Sequence, residues 1–159
     1  MNKQKIVQAI CQQLEKDLVA LKEAALATYD AATNEESKPE NEYDTRGLEA
    51  SYLAGAQAKR VGEVEELLYL YKDVQLRAFL PEDAISATAL VEVEHQGRKS
   101  FVFIMPKGGG LMLLVENHSI QTVTPSSPLG EALLGLHRGE IAVVENNNKV
   151  REYKVLSLQ

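Results

Sequence analysis

Apolar residues recur every three or four positions over the first part of the chain. From residue 3 to about residue 32 these positions fall on one side of a helix, and charged residues occupy its other sides. The apolar positions are Val7, Cys11, Leu14, Leu18, Leu21, Ala25 and Ala32, with Ile10 beside them. Because neither glycine nor proline occurs before Pro39, the pattern predicts one uninterrupted amphipathic helix.

A second helical pattern runs from about residue 43 to residue 76. Its apolar positions are Ala50, Leu53, Val64, Leu67, Tyr71 and Val74. The polar segment 33–42 separates the two patterns, and Pro39 within it would break a continuous helix. Two helices of about 30 residues predict an antiparallel coiled-coil hairpin roughly 45 Å long, formed by residues 1–77.

After Pro81 the period of the apolar positions changes to two, which is typical of strands. Strands are predicted over 87–94, 101–105, 111–115, 120–124, 141–145 and 150–158. A turn at 95–98 joins the first two into a hairpin, and three asparagines join the last two. Residues 83–159 should therefore form a small antiparallel sheet of five or six strands with one short helix, which makes the fold class α+β.

That short helix is predicted over 127–135. Ser127 suits the N-cap position, because its hydroxyl can accept a hydrogen bond from a free backbone N–H. Pro128 suits the first helical position, where a missing N–H costs nothing. Gly135 can adopt the left-handed conformation that ends a helix.

Composition narrows the environment and the class of partner. The net charge of −6 argues against general affinity for a nucleic-acid backbone, which requires clustered lysine and arginine. A single cysteine, Cys11, excludes an internal disulfide and fits a reducing cytosol. No apolar run approaches the ~20 residues of a membrane span, and the first residues lack the pattern of a signal peptide. We therefore expect a cytoplasmic protein with no membrane partner.

Few residues suggest chemistry. Between residues 30 and 44 there are six acids and one base, which indicates either a solvated turn or a pair of carboxylates that assists a metal ion. The three histidines fall in different predicted turns and are expected at the surface. No Ser/His/Asp set has a recognisable spacing.

Several segments resemble one known family. The sequence Ser-Pro-Leu-Gly-Glu-Ala-Leu-Leu-Gly at 127–135, the pair at 139–140 and the segment 152–156 resemble the C-terminal domain of the Gre-type transcript cleavage factors (the GreA/GreB family). The sequence Lys-Pro-Glu-Asn-Glu-Tyr at 38–43 resembles the family's hairpin tip, and 63–67 resembles the exit of its second helix. The resemblance extends over essentially the whole chain in the same order.

The resemblance implies a fold and an activity. The hairpin would be followed by an FKBP-like domain that docks on RNA polymerase, with the segment 126–136 as a candidate contact. The protein would be a bacterial elongation factor whose hairpin enters the polymerase's secondary channel and stimulates the enzyme's own cleavage of backtracked RNA. It would contact that RNA only indirectly and would have weak or no independent affinity for DNA.

The hairpin tip departs from the family's pattern. Gre cleavage factors carry an aspartate three residues before a Glu-Asn pair. Glu40 and Asn41 match that pair, whereas the aspartate position falls near Glu36 or Ser37, depending on where the extra Pro39 is placed.

The resemblance nevertheless implies a set of site residues at the tip. We expect Glu40 to bind a metal ion or water, Glu36 (or else Glu35) to be its partner carboxylate, and Asn41 to provide a supporting polar contact. Two carboxylates alone hold Mg²⁺ poorly, because this ion usually also takes water and phosphate oxygens as ligands. The Mg²⁺ would therefore be shared with the polymerase active site, and no cofactor would be tightly bound to the free protein.

Two other functions stay open at this point. The altered tip would also suit a Gre-like regulator that enters the same channel and modulates or inhibits transcription without stimulating cleavage. A protein of another class, a coiled-coil adaptor for an unrelated partner, would show the same hairpin pattern.

Overall fold

The computed structural model describes residues 1–33, 46–146 and 149–159. Over these residues the chain forms helices α1 (Lys3–Thr33), α2 (Arg46–Asp73) and α3 (Pro128–Leu133), and strands β1 (Leu90–His95), β2 (Arg98–Ile104), β3 (Met112–Val115), β4 (His118–Val123), β5 (Ile141–Asn146) and β6 (Lys149–Leu158). The chain divides into two compact units. We call Cys11–Asp73 the hairpin unit, and Met1–Ile10 together with Val74–Gln159 the sheet unit.

Two ion pairs between α1 and α2 show the direction and register of the helices in the hairpin unit. Glu15 pairs with Lys72 at 2.7 Å, and Lys22 pairs with Glu65 at 2.6 Å. Moving seven residues forward along α1 therefore corresponds to moving seven residues back along α2. The two helices run antiparallel with a constant register, which confirms the predicted helical hairpin.

The helix ends differ slightly from the predicted ones. The first helix continues to Thr33, which had been predicted as the first residue of the tip. The second helix ends at Asp73 rather than at residue 76. Backbone groups just beyond this end bond within the sheet unit, because the Arg77 N–H donates to Thr88 Oγ1 at 3.1 Å. The predicted helical residues 43–45 and tip residues 34–42 lie outside the described part of the chain.

The sheet has six strands in the order β3-β4-β2-β1-β6-β5. The predicted hairpin at 95–98 is confirmed, with positive φ at both Gln96 and Gly97 as a tight two-residue turn requires. The first strand is shorter than predicted because Thr88 has φ +68 and interrupts the extended backbone.

One strand pair corrects the prediction of an antiparallel sheet. Strands β2 and β4 are parallel, whereas the other neighbours are antiparallel. The chain passes from β2 to the edge strand β3 and returns as β4, which lies between them. Strand β3 runs in the direction opposite to β2, and β4 runs opposite to β3, so β4 is parallel to β2.

Both faces of the sheet are buried near its centre. On one face Val91, Val102 and Ile104 form a core with Leu133 of α3. The register places Leu90, Phe103 and Ile120 on the opposite face, where they are also fully buried.

The first turns of α1 belong to this unit. The Met1 ammonium donates to Gln159 Oε1 at 3.1 Å, Lys3 Nζ donates to the Thr88 carbonyl at 3.0 Å, and Lys5 pairs with Glu116 at 2.9 Å. Burial lowers the pKa of Lys3, whereas the hydrogen bond to the Glu116 carboxylate raises the pKa of Lys5. The sheet unit is therefore built from both ends of the sequence, although the sequence pattern had assigned residues 1–77 to one domain.

Candidate functional site

The tip residues implied by the family resemblance lie outside the described part of the chain. These are Glu36, Glu40 and Asn41, together with the alternative Glu35. The structure does describe the two arms of the hairpin that lead to this segment, which are α1 up to Thr33 and α2 from Arg46. The described part of the candidate site therefore consists of these two helical arms.

The half of the hairpin unit nearest Cys11 and Asp73 has a filled apolar seam. We call residues 11–21 and 64–73 the proximal half. Leu14, Val64, Leu68 and Tyr71 are buried there. Their side chains are large enough to occupy the space between helices whose axes lie about 8–10 Å apart.

The seam of α2 is partly different from the predicted one. Val64 and Tyr71 are buried as predicted, but Leu68 is buried in place of Leu67, and Ala54 in place of Leu53. Steps of three and four residues both follow a helix face, so the spacing alone does not choose between neighbouring leucines.

The other half of the hairpin unit contains an apolar groove. We call residues 22–33 and 46–63 the distal half. A cavity of about 650 Å³ lies between its helices, and its small side chains are Ala25, Ala32, Ala54, Gly55 and Ala58. Alanine and glycine leave the inter-helix space unfilled, so the two helices enclose a groove rather than a packed seam.

Large apolar side chains line and extend this groove. Leu26 and Tyr29 contribute to its wall and are 63% and 58% exposed. Leu48, Tyr52 and Leu53 are exposed on the first turns of α2. The ion-pair register places Thr33, the last residue of α1, level with Ala54, and both residues line the groove. The exposed Leu48, Tyr52 and Leu53 therefore lie beyond the level of Thr33, where α1 ends.

The same half contains a polar atom that is poorly satisfied. The side-chain oxygen of Gln57 is shielded from solvent and has no hydrogen-bond partner within the described ranges. A shielded oxygen without a partner typically costs about 1–3 kcal/mol. The distal half thus combines an unfilled groove, exposed apolar side chains and an unsatisfied oxygen.

The Ser-Pro-Leu-Gly segment of the sheet unit has a local structural explanation. Ser127 Oγ accepts from the Gly130 N–H at 3.1 Å and donates to the Thr124 carbonyl at 2.8 Å, so it caps α3 as predicted. A Cβ atom on Gly130 would lie 1.9 Å from the Thr124 oxygen. Only glycine fits there without a backbone shift. Helix α3 ends two residues before Gly135, which has the predicted positive φ of 81°.

The predicted docking segment 126–136 presents few apolar side chains to solvent. Leu133 is buried in the core, and Leu129, Leu134 and Leu136 pack against it. The side chains that the segment exposes are those of Ser126, Pro128 and Glu131. Any contact made by this segment would therefore use polar groups and the proline ring.

The histidines are separate, as the sequence predicts. His95 stacks on Tyr153 with ring centroids 4.8 Å apart, His118 Nδ1 lies 2.8 Å from the Glu116 carbonyl, and His137 Nδ1 lies 3.4 Å from Glu140. Within residues 1–33, 46–146 and 149–159, no three metal-binding side chains come together. No helix in these ranges combines the length and the apolar character needed to cross a bilayer.

Cys11 lies in the proximal half and is half-buried. Burial raises the pKa of its thiol, although the nearby Lys72 ammonium acts in the opposite direction. A raised pKa lowers the thiolate fraction at neutral pH, so this residue is not activated as a nucleophile. Its packing role agrees with the apolar position that it occupies in the sequence pattern.

Comparisons with known proteins give structural neighbours only. No family model and no curated protein matches the chain. The neighbours are GreA factor homolog 1 (Gfh1) of Thermus thermophilus, with 20% identity over 94% of both chains and a TM-score of 0.37, and Thermus aquaticus Gfh1, with 21% identity over 96% of this chain and 95% of the other and a TM-score of 0.39. A third is the transcription elongation factor GreA/GreB from Nitrosomonas europaea, with 12% identity over 70% of this chain and 92% of the other and a TM-score of 0.37.

These neighbours carry the family name that the sequence motifs indicated. At such identities and TM-scores they carry no argument about activity or site residues, which depend on the sequence and the geometry described above. The chain is thus similar to Gfh1 and GreA/GreB factors.

Proposed function

We propose that this chain is a transcription elongation factor that binds bacterial RNA polymerase and inserts its hairpin into the secondary channel. There it stimulates the polymerase's own cleavage of backtracked RNA. The observation that carries the proposal is the antiparallel pair of helices of 31 and 28 residues, whose arms lead into the acid-rich segment 34–45. At 1.5 Å per residue these helices are roughly 45 Å long, which is long enough to carry side chains deep into a channel.

The distal half of the hairpin supports a protein partner. Leu26 and Tyr29 are exposed in the wall of the groove, and clustered exposed apolar surface commonly marks an interaction site. A channel wall that covers this surface would stabilise the inserted hairpin by about 25 cal/mol for each Å² of apolar area removed from water. The groove would thus be a contact surface behind the tip.

In this proposal the tip assists chemistry that belongs to the polymerase. Glu40 and Glu36 would help to hold a Mg²⁺ ion shared with the polymerase active site, and Asn41 would support them. A second metal ion in such a site stabilises the attacking and leaving oxygens of a hydrolysis. The factor itself is then not an enzyme, and it binds no cofactor of its own.

The charge of the chain fits this mode of binding. With a net charge of −6, the protein would reach RNA through a protein surface and not through direct binding of a nucleic-acid backbone. It would act in the cytoplasm, where bacterial transcription takes place.

A specific observation favours a second function. Pro39 is inserted next to the Glu40-Asn41 pair, and no aspartate occupies the position three residues before that pair. A proline fixes its own φ and restricts the residue before it, so this tip sequence is not equivalent to that of the cleavage factors. Such a tip would enter the channel and modulate or inhibit the polymerase without stimulating cleavage.

The decisive experiment is cleavage of backtracked RNA by stalled polymerase complexes at saturating factor. Wild-type protein should accelerate cleavage, and the Glu36→Ala/Glu40→Ala variant should lose the acceleration while binding polymerase with unchanged affinity. The matched control is Glu23→Ala/Asp30→Ala, which removes two exposed acids of α1 but leaves the tip intact. This control should cleave like the wild type.

Other outcomes separate the alternatives. If the wild-type protein binds polymerase but slows transcription without cleavage, the regulator is correct. If it does not bind polymerase at all, the proposal is wrong and the adaptor for an unrelated partner gains support.

A further inference from the structure

Strand β5 forms one edge of the sheet. It pairs with β6 along one side, and in the described part of the chain no strand pairs with its other side. Ile141 and Val143 lie on the same face of this strand and are 51% and 49% exposed, with the exposed Val150 on the neighbouring strand. The edge therefore offers apolar side chains to solvent.

The backbone of β5 also offers hydrogen-bonding groups. The Val155 N–H donates to the Glu140 carbonyl at 2.9 Å, and this bond is in register with the β5–β6 pairing. In an antiparallel pair alternate residues bond to the neighbouring strand, so Ala142 and Val144 bond to β6. The N–H and C=O groups of Ile141, Val143 and Glu145 then point away from the sheet.

Edge strands are often protected against pairing with another chain, and β5 lacks two of the common protective residues. Proline, lysine and inward-pointing charges are the common protective devices. The sequence Ile-Ala-Val-Val-Glu-Asn of β5 has no proline and no lysine. The opposite edge, β3, also exposes Met112 and Leu114, but it has only four residues and allows a shorter ladder.

We infer that two copies of this chain associate through β5. The β5 strands of the two copies pair antiparallel, and the two-fold axis that relates the copies passes between their Ala142 residues. In this register Ile141 of each copy lies opposite Val143 of the second copy, and the pair forms twice. The N–H and C=O groups of both residues in each pair point outward, so each pair exchanges two backbone hydrogen bonds. The two pairs together form four. Because cross-strand partners share a face of the sheet, the exposed apolar side chains are buried against each other.

Charge favours the same register. In this register Arg138 of one copy lies near Glu145 of the second copy. The two-fold symmetry repeats this pair of opposite charges at the other end of the strand. Shifting the pairing so that Val143 faces Val143 would place Ile141 opposite Glu145. That alternative would replace two Ile141–Val143 pairs by a single Val143–Val143 pair, so the register centred on Ala142 is preferred.

The inference is independent of the proposed function. Strand β5 belongs to the sheet unit, whereas the candidate tip and groove belong to the hairpin unit. Association through β5 can therefore be tested on the free protein, without polymerase, and its failure would leave the proposed function untouched.

The first test is sedimentation velocity of the full chain from about 5 μM to about 500 μM, the range in which small interfaces associate. The wild-type sedimentation coefficient should rise with concentration towards that of a dimer, and Val143→Lys should sediment as a monomer throughout. Leu114→Lys is the matched control, because it places the same charge on the other edge strand, and it should associate like the wild type. Circular dichroism of each variant checks that the sheet is intact.

A second test reads the register and does not depend on a disruptive variant. In a Cys11→Ser background, Ile141→Cys and Val143→Cys proteins are mixed and oxidised with diamide. Residues paired in this way lie about 5.5 Å apart between Cα atoms, within the range of a disulfide, whereas equivalent residues of the two copies lie more than about 7 Å apart. The mixture should form a cross-linked dimer, and neither protein alone should.

The inference is overturned if Val143→Lys associates like the wild type, or if Leu114→Lys is also monomeric. It is equally overturned if the mixed cysteine proteins cross-link no better than either protein alone.

Discussion

The proximal and distal halves of the hairpin unit use the same two helices and the same register, yet they differ in the size of the residues that face the space between the helices. In the proximal half, Leu14, Val64 and Tyr71 are buried between the helices. In the distal half, small residues face the seam, and the large side chains of Leu26 and Tyr29 remain exposed. If the distal half is the contact surface proposed above, stability and recognition are separated along the hairpin.

This separation has a physical basis in side-chain volume. Two helices alone can bury only the residues that point directly at each other, so the seam is the whole core of a helical hairpin. Replacing leucine by alanine in that seam removes an isopropyl group and leaves space between the helices. The distal half gives up part of its own packing and gains a groove that a partner can fill.

The largest expected effect is on stability. Leu14→Ala removes a buried side chain from the proximal half and should lower the free energy of unfolding by about 3 kcal/mol. The matched change Leu26→Ala truncates an exposed leucine on the same helix and should cost about 0.5 kcal/mol or less. Urea denaturation of both variants checks the difference. Equal losses would remove the distinction between the two halves.

The next effect is on recognition. Tyr29→Ser removes a large side chain from the groove wall and should weaken binding to RNA polymerase roughly tenfold, since burial of such a side chain contributes about 1.4 kcal/mol or more. Tyr69→Ser is the control, because Tyr69 is 75% exposed on α2 but does not line the groove. Fluorescence anisotropy with labelled protein measures both affinities. The groove is not the contact surface if the two substitutions have the same effect.

The smallest expected effect is a gain in stability when either of two glycines of α2 is replaced by alanine. A Cβ atom on Gly55 or on Gly62 would meet no atom within 4 Å, and both glycines lie inside the helix. Each substitution by alanine should therefore raise the free energy of unfolding by about 0.5–1 kcal/mol. Thermal denaturation measures this change. A destabilising Gly55→Ala would mean that the distal helices approach each other more closely in solution than in the structure.

Periodicity predicted the hairpin and the sheet because both patterns extend over many residues. The change from a period of three or four to a period of two occurs near Pro81, and the structure places α1 and α2 before it and the strands after it. Element ends were less accurate. The positive φ of Thr88 and the use of Arg77 by the sheet unit are tertiary effects that no local pattern contains.

Other features could not be obtained from the pattern for similar reasons. The parallel β2–β4 pair depends on how the chain returns from the sheet edge, which spacing does not encode. The groove depends on which of two neighbouring positions faces the seam, and Leu53 and Ala54 fit the helical period equally well. The carboxylates Glu36 and Glu40 remain a prediction of the family resemblance.

The pairing of Met1 with Gln159 has a consequence for the order in which the protein folds during synthesis. The residues of the hairpin unit leave the ribosome before most of the sheet unit, and their contacts are close in sequence, so this unit can form early. Ile6 and Ile10 belong to the sheet unit and are fully buried, so their burial has to wait until that unit has been synthesised. Until then the start of α1 would expose apolar side chains on the nascent chain, and exposed apolar surface of this kind is prone to aggregation.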